Sequence, residues 1–329
     1  RRQRQMCIRD RSKETIGNVK KFSDLKRSMV VPIDEREQDN RTLRTLIITA
    51  LTETGQTRDT LYAKIGEFYY CAAPKYLYKY YSENPLNMDA IKNHEMWYSA
   101  PCNFNDVFDC DVSINEKAIF ESFLSADPQG RRIRQGSPMW IKLKSDVHKQ
   151  IDYLQGTFEE TKQTTGISCL SESDSSLLMW AHYANNHKGM CVEYELLQIS
   201  EQLKFSPIPV IYTDERVSLN SLISEDLRRD TMKFFVESVT TKSPEWSYEK
   251  EWRIIRDEAA CGTRWNKADK GALLEMIRPT SITLGCRAES DFEKSVREYC
   301  ETEKVTLYKM EKNKEKYQLD KKVLMKFSE

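Results

Sequence analysis

The chain has 329 residues, of which 39% are hydrophobic and 31% charged, and 51 Lys and Arg residues balance 51 Asp and Glu residues. This composition is typical of a globular protein and excludes a chain that is disordered throughout. No run approaches the roughly 20 consecutive apolar residues of a membrane-spanning helix, and no secretory signal is recognisable, so we expect a cytoplasmic protein with no membrane partner.

The first 11 residues, RRQRQMCIRDR, show no periodicity and hold five of the arginines. Met6 to Asp10 resembles a translated sequencing adapter, so we predict that residues 1–11 are an assembly scar. A basic disordered arm that touches nucleic acid or membrane is the alternative. Residues 12–40 are predicted to be a flexible segment. Without the scar, 46 basic residues face 50 acidic ones, which weakens the case for nucleic-acid binding.

A helical pattern follows the flexible segment. Leu43, Ile47 and Leu51 lie on one stripe, a break begins at Thr54, and a second stripe runs to Ala72 before Pro74. Residues 41–74 are therefore predicted to form a helical hairpin. It is either an accessory unit packed on the main domain or a dimerisation element.

From Tyr76 onward the sequence contains short runs rich in Val, Ile and Tyr, which predict strands. Helical patterns occupy residues 225–241 and 290–304. Because strands outnumber helices and do not alternate with them, we predict an α+β fold over residues 76–325, with a mixed or antiparallel sheet core and flanking helices. The nine cysteines lack CxxC spacing and are predicted to be reduced core residues.

Two early segments carry polar residues that are expensive to bury. In YLYKYY, Lys79 beside Tyr80 is either a solvated edge lysine or a cation that binds a ligand. In NFNDVFD, Asn105, Asp106 and Asp109 indicate a structural loop at the rim of a site. We favour this over a divalent-cation site because the glycine of a dedicated calcium loop is absent.

A third segment combines a strand that contains Ser168 and Ser171 with the loop MWAHYANNHKG. The two histidines of the loop lie five residues apart, which is not the spacing of a helical zinc pair. The loop suits a platform for a planar ligand. The alternative is a core tryptophan with a hydrogen-bonded histidine. The residues concerned are Trp180, His182, Tyr183 and His187.

The fourth segment is WSYEKEWRI, which is expected to place Glu249 and Glu251 on one face of a strand. Two carboxylates at such a short distance repel each other, so one of them is expected to have a raised pKa and to serve in acid–base or cation-stabilising work. Arg253 on the same face is expected either to contact the ligand or to neutralise one carboxylate.

These four segments, LYKY, NFNDxFD, MWAHYAxxHxG and YExEWRI, resemble a bacterial domain-of-unknown-function family, DUF2971. The resemblance covers about residues 76–320. The family often has proline where this chain has Val107 and arginine where it has Tyr81. The family name itself implies no mechanism.

A further resemblance is to ADP-ribosyltransferases, whose sites join an early basic residue, a serine strand and an ExE element. It implies that Glu251 is catalytic, stabilising the cationic sugar as nicotinamide leaves NAD, while Glu249 orients the acceptor. The residues expected to bind NAD are Lys79, Tyr80, Ser168, Ser171, Trp180, His182, Tyr183, His187 and Arg253.

Three functional hypotheses follow. The first is an NAD-using ADP-ribosyltransferase-like enzyme, a toxin or phage-defence effector, which needs no metal and acts on an unknown acceptor. The second is a magnesium-dependent nuclease or phosphoesterase that uses Asp106, Asp109, Glu249 and Glu251. The third is a non-catalytic binding or sensor module. The oligomeric state stays open in all three.

Overall fold

The computed structural model describes residues 33–126, 132–203, 206–222 and 227–327. The predicted scar at residues 1–11 and most of the predicted flexible segment lie outside these ranges. None of the described helices is long and apolar enough to cross a membrane.

The predicted helical hairpin consists of α1 (Ile33–Thr52) and α2 (Gly55–Cys71). Helix α1 begins at Ile33, so it includes residues 33–40, which the sequence pattern assigned to the flexible segment. Leu43 and Ile65 are almost fully buried, and they belong to the same apolar cluster as the sheet residues Met96 and Trp252. The hairpin therefore packs into the main core.

A mixed sheet forms the centre of the fold and confirms the predicted α+β class. Its order is β12-β11-β10-β4-β1-β3-β2-β9, with β8 beside β3 and β5 beside β8. All pairs within it are antiparallel except β10 and β11, which α10 connects. A separate parallel pair joins β6 to β7. The strands are β1 (Tyr76–Tyr81), β2 (Glu95–Ser99), β3 (Thr165–Ser171), β4 (Met190–Glu195), β5 (Ile208–Pro209), β6 (Ile211–Tyr212), β7 (Thr241–Lys242), β8 (Glu251–Asp257), β9 (Gly271–Glu275), β10 (Ser281–Leu284), β11 (Thr306–Lys312) and β12 (Leu319–Met325).

The remaining helices flank the sheet. The long helix α5 starts at the capping residue Ser137, and its stripe Val147, Ile151 and Phe158 is buried in a second apolar cluster with α4. This helix was not predicted. The helices are α3 (Pro85–Lys92), α4 (Glu116–Ala126), α5 (Pro138–Gln163), α6 (Leu177–His182), α7 (Leu196–Leu203), α8 (Leu227–Ser238), α9 (Glu258–Cys261) and α10 (Ser290–Glu303), and 3₁₀ turns span Pro101–Asn103, Leu219–Leu222, Pro244–Glu249 and Gly262–Arg264.

The sheet splits at β3. Strand β8 pairs with β3 along its whole length, so β1 and β2 must share the opposite edge. They meet that edge at different ends, because Tyr78 pairs with Ser171 whereas Ser99 pairs with Ile167. The divergence of β1 and β2 opens a gap in the sheet, and the candidate site lies there.

The turn between α6 and β4 has an unusual backbone. Asn185, Asn186 and His187 adopt φ values of 42°, 54° and 69°, the left-handed region that side chains rarely enter. The turn then passes so close to β1 that a Cβ atom on Gly189 would lie 1.9 Å from the carbonyl oxygen of Tyr81. Glycine is therefore required at this crossing.

The cysteines of the described residues are all free. Cys110, Cys191, Cys261 and Cys300 are buried, which agrees with the prediction of reduced core residues, and Cys169 and Cys286 are half-buried. Cys71 and Cys102 are exposed, so the prediction is wrong for these two.

Candidate functional site

A cavity of about 470 Å³ opens where β1 and β2 separate. Strands β1, β2 and β3, helix α6 and the segments around residues 103–109 and 242–251 form its wall. The predicted site residues in this wall are Lys79, Tyr80, Asn105, Asp109, Ser171, His182, Tyr183, Glu249 and Glu251. Ser168, Trp180, His187, Asp106 and Arg253 are not part of it.

The two glutamates reach the cavity by a turn and not along one strand. Glu249 ends the 3₁₀ turn Pro244–Glu249, and Glu251 begins β8. Between them Lys250 adopts a left-handed φ of 44° and is exposed. The prediction that a strand carries both carboxylates is wrong, because the left-handed residue reverses the chain there. Both side chains nevertheless line the same cavity.

Arg253 lies behind the cavity and is completely buried. Its guanidinium donates to both oxygens of Asp109 at 2.8 and 2.7 Å and to both oxygens of Glu251 at 2.8 and 3.0 Å. It also donates to the carbonyl oxygen of Val239. Of the two roles expected for Arg253, this geometry supports the neutralisation of a carboxylate.

Asp109 was predicted to lie at the rim with Asn105 and Asp106, but it is buried beside Arg253. The ion pair joins residues 144 positions apart, which local sequence patterns do not reveal. Asp106 instead accepts a hydrogen bond from the backbone of Phe108, as expected for a structural loop.

Lys242 is a central residue that the sequence analysis missed. Its Nζ lies 2.7 Å from Glu249, 3.2 Å from Asp109 and 3.3 Å from Glu251. The face of the Trp246 ring covers it at 4.8 Å. Strand β7 has only two residues, so no alternating pattern marked Lys242 as inward-facing.

The cluster gives the two glutamates opposite electrostatics. Burial raises the pKa of Glu251, but Arg253 and Lys242 outweigh it and hold the pKa well below its usual range. Burial and repulsion from Glu251 raise the pKa of Glu249, and Lys242 offsets this only in part. The prediction that one carboxylate of this pair has a raised pKa is confirmed, and that carboxylate is Glu249.

Tyr183 and His182 line the cavity beside Glu249. The Tyr183 hydroxyl donates to Glu249 Oε1 at 2.5 Å. His182 Nδ1 lies 3.1 Å from the Tyr248 hydroxyl, and the Tyr248 ring packs against the Trp246 ring at an interplanar angle of 37°. These rings form an aromatic edge next to the carboxylate with the raised pKa.

Trp180 and His187 are placed away from the cavity. Trp180 is fully buried and its indole N–H donates to the carbonyl oxygen of Asp174 at 2.8 Å. The His187 ring stacks on Trp180 at a centroid distance of 6.5 Å. For this part of the loop the geometry matches the alternative of a core tryptophan.

Lys79 reaches across from β1 to β3. Its Nζ donates to the carbonyl oxygen of Cys169 at 2.9 Å and to the hydroxyl of Ser168 at 3.3 Å. Burial lowers the pKa of Lys79. Lys79 thus bridges β1 and β3 in the gap of the sheet and is not a solvated edge lysine.

Residues 179–254 match the model of a family described as a protein of unknown function, DUF2971. This stretch is therefore similar to the DUF2971 family, and it makes up less than a quarter of the chain. The resemblance drawn from the sequence motifs is confirmed over these residues. Neither a curated protein nor a solved structure matches the chain.

The matched segment, residues 179–254, supplies part of the cavity wall. It contains His182, Tyr183, Lys242, Glu249 and Glu251. Lys79, Asp109 and Ser171 of the same wall come from residues that precede the segment, and Asp109 contacts Lys242 while Ser171 pairs with Glu251. The site is thus assembled from both regions.

Proposed function

We propose that the cavity binds NAD and that the protein is an ADP-ribosyltransferase-like enzyme. One observation carries the proposal: Lys79 on β1, Ser171 on β3 and the glutamates Glu249 and Glu251 all line one cavity, at the point where β1 and β2 diverge. These are the basic, serine and acidic groups that such chemistry requires, and they come from three separate parts of the chain.

The charges of the two glutamates suit two different tasks. In the proposed reaction the bond between the nicotinamide nitrogen and ribose C1′ breaks, and its electron pair leaves with neutral nicotinamide. The low pKa of Glu251 keeps it ionised, so it can stabilise the positive charge that develops on the ribose. The acceptor then bonds to C1′ and passes its proton to Glu249, whose raised pKa suits a general base.

The aromatic lining supports a ligand with planar rings. Trp97, Phe104, His182 and Tyr183 lie in the cavity wall. Aromatic faces and edges pack favourably on flat heterocycles, of which NAD has two. The cavity therefore combines ring-stacking surface with buried charge.

The charge arrangement favours this function over the magnesium-dependent hypothesis. Among the described residues, no group of three or more His, Cys, Asp or Glu side chains has the geometry to hold a metal. Asp109, Glu249 and Glu251 do converge, but on the ammonium group of Lys242. Asp106, the fourth carboxylate of that hypothesis, lies outside the cavity wall.

The test measures the release of nicotinamide from NAD by chromatography, with and without lysate as a source of acceptor. We expect Glu251→Gln to lower the rate about 100-fold or more, because it removes a preorganised charge from the transition state. The matched control is Glu245→Gln, which changes an exposed glutamate of the same turn region and is expected to keep the rate.

Two results would contradict the proposal. One is the absence of nicotinamide release together with no shift in melting temperature at millimolar NAD. The other is a turnover that Glu251→Gln leaves intact while the melting temperature falls, which would assign the cluster a purely structural role.

A further inference from the structure

Lys242 is surrounded by acceptors in the manner of a bound cation. Its ammonium group has three hydrogens, and three carboxylates lie within 3.3 Å of it. Its side chain is only 4% exposed, and the Trp246 ring closes another side. The three carboxylates therefore surround one buried ammonium group, which is their shared counter-ion.

The two cations of the cluster do not share the carboxylates equally. Arg253 contacts Asp109 and Glu251 through paired hydrogen bonds. Glu249 has its ion pair with Lys242, and its other oxygen accepts from Tyr183. Loss of Lys242 would therefore leave Asp109 and Glu251 neutralised by Arg253, whereas Glu249 would face the negative charge of Glu251 with only a hydroxyl as partner.

We propose that Lys242 is a positioning residue that acts as a built-in cation: it keeps Glu249 ionised and holds its carboxylate toward the cavity. The inference deepens the proposed function and rests on it where turnover is concerned. The charges that act on Glu249 are those of Lys242 and Glu251, and the nearby hydroxyls are those of Tyr183, Tyr212 and Tyr248. Lys242 also pairs with Asp109.

The direct test is the titration of Glu249 in the folded protein. Carbon-13 NMR of glutamate-labelled protein would follow its carboxyl resonance, which Glu249→Gln identifies by deletion. In Lys242→Met we expect the midpoint to rise by about one pH unit or more, because an opposite charge within a few ångströms has been removed. An unchanged midpoint would overturn the proposal.

A charge-free double variant covers the case in which Lys242→Met does not fold. If Lys242 serves mainly Glu249, then Lys242→Met with Glu249→Gln removes both charges, and it is expected to fold with a melting temperature close to that of Glu249→Gln alone. Failure of this double variant to fold would show that Asp109 and Glu251 depend on Lys242 equally, and would overturn the inference.

Turnover supplies a separate measurement. In Lys242→Ala, added ethylammonium is expected to fill the vacated space and to raise the rate of nicotinamide release at least about tenfold over the rate without it. The increase should appear more in kcat than in KM. A titration shift without any NAD turnover in the native protein would uphold the role of Lys242 and refute the NAD reaction. Turnover in the native protein with no ethylammonium rescue in Lys242→Ala would refute the built-in cation alone.

Discussion

Single hydrogen bonds decide how the candidate site is charged. Glu249 is buried, and the hydroxyl of Tyr183 donates a hydrogen bond to it at 2.5 Å. A donor to a carboxylate stabilises its ionised form, so this bond opposes the effects of burial and of Glu251 on the pKa. Tyr183 therefore contributes to acid–base behaviour as well as to packing.

Replacement of Tyr183 by phenylalanine tests this contribution. The substitution is expected to cost about 1–3 kcal/mol in the free energy of unfolding at neutral pH, because a buried carboxylate loses its hydroxyl donor. The pKa of Glu249 should rise further. As the pH is lowered, a reaction that needs ionised Glu249 should therefore begin to lose activity at a higher pH than in the native protein. Urea unfolding and a pH–rate profile measure the two effects.

Tyr62→Phe is the control for that experiment, since Tyr62 is exposed on α2, away from the cavity wall. It is expected to leave both the stability and the pH–rate profile as they are. A Tyr183→Phe profile that superimposes on the native one would refute the role of this hydroxyl.

At this scale, sequence reasoning found the acidic pair and its neutralisation by Arg253, but it did not find Lys242. Glu249 and Glu251 stand out because two glutamates flank one residue before a buried strand. Lys242 does not stand out, and Asp109 was assigned to the rim of the site, because their ion pairs depend on segments brought together only by the fold. Ion pairing across 144 residues leaves no local pattern for sequence reasoning to detect.

At the scale of elements, the turn after α6 fixes how close β4 lies to β1. Its three left-handed residues, Asn185 to His187, end in a crossing where Gly189 touches the backbone of Tyr81. Each left-handed side chain costs about 1 kcal/mol or more unless its surroundings compensate. The packing of β4 against β1 offsets this strain.

The glycine at this crossing provides a prediction about stability. Gly189→Ala is expected to lower the free energy of unfolding by about 3 kcal/mol or more, because its Cβ would lie 1.9 Å from the Tyr81 carbonyl oxygen and neither backbone can yield. Thermal unfolding followed by circular dichroism measures the loss.

Gly156→Ala is the matched control, because a Cβ at this exposed position of α5 would meet nothing within 4 Å. It should raise stability by about 0.5–1 kcal/mol through helix propensity. Equal melting temperatures for the two variants would show that the crossing is looser than its geometry indicates.

The elements themselves were predicted unevenly. The short runs YLYKYY and GISCLS were predicted as strands and became β1 and β3. Helix α5 was missed, although Val147, Ile151 and Phe158 are spaced on one face, because most of its other residues are polar. Glu249 was assigned to a strand because a left-handed Lys250 has no distinctive sequence signal.

At the scale of the whole molecule, the N-terminal hairpin and the sheet share one core. Leu43 is fully buried in the cluster that also contains Trp252 of β8.

Leu43→Ala is expected to lower the free energy of unfolding by about 2–5 kcal/mol, with helix content and tryptophan fluorescence lost in the same transition. Leu51→Ala, at a position 42% exposed on the same helix, is expected to change stability by no more than about 0.5 kcal/mol. A hairpin that melts before the sheet would contradict the shared core.

Two arginines of α1 extend this union to the cavity. Arg36 pairs with Glu172, which directly follows Ser171, and Arg44 donates to the carbonyl oxygen of Thr240 and the hydroxyl of Thr241, next to Lys242. Helix α1 thereby contacts two segments next to the acidic cluster, one through the Glu172 side chain and one through Thr240 and Thr241. The hairpin and the cavity are thus structurally coupled. A hairpin grafted from a relative should support an active cavity only when residues 172 and 240–242 are transferred with it.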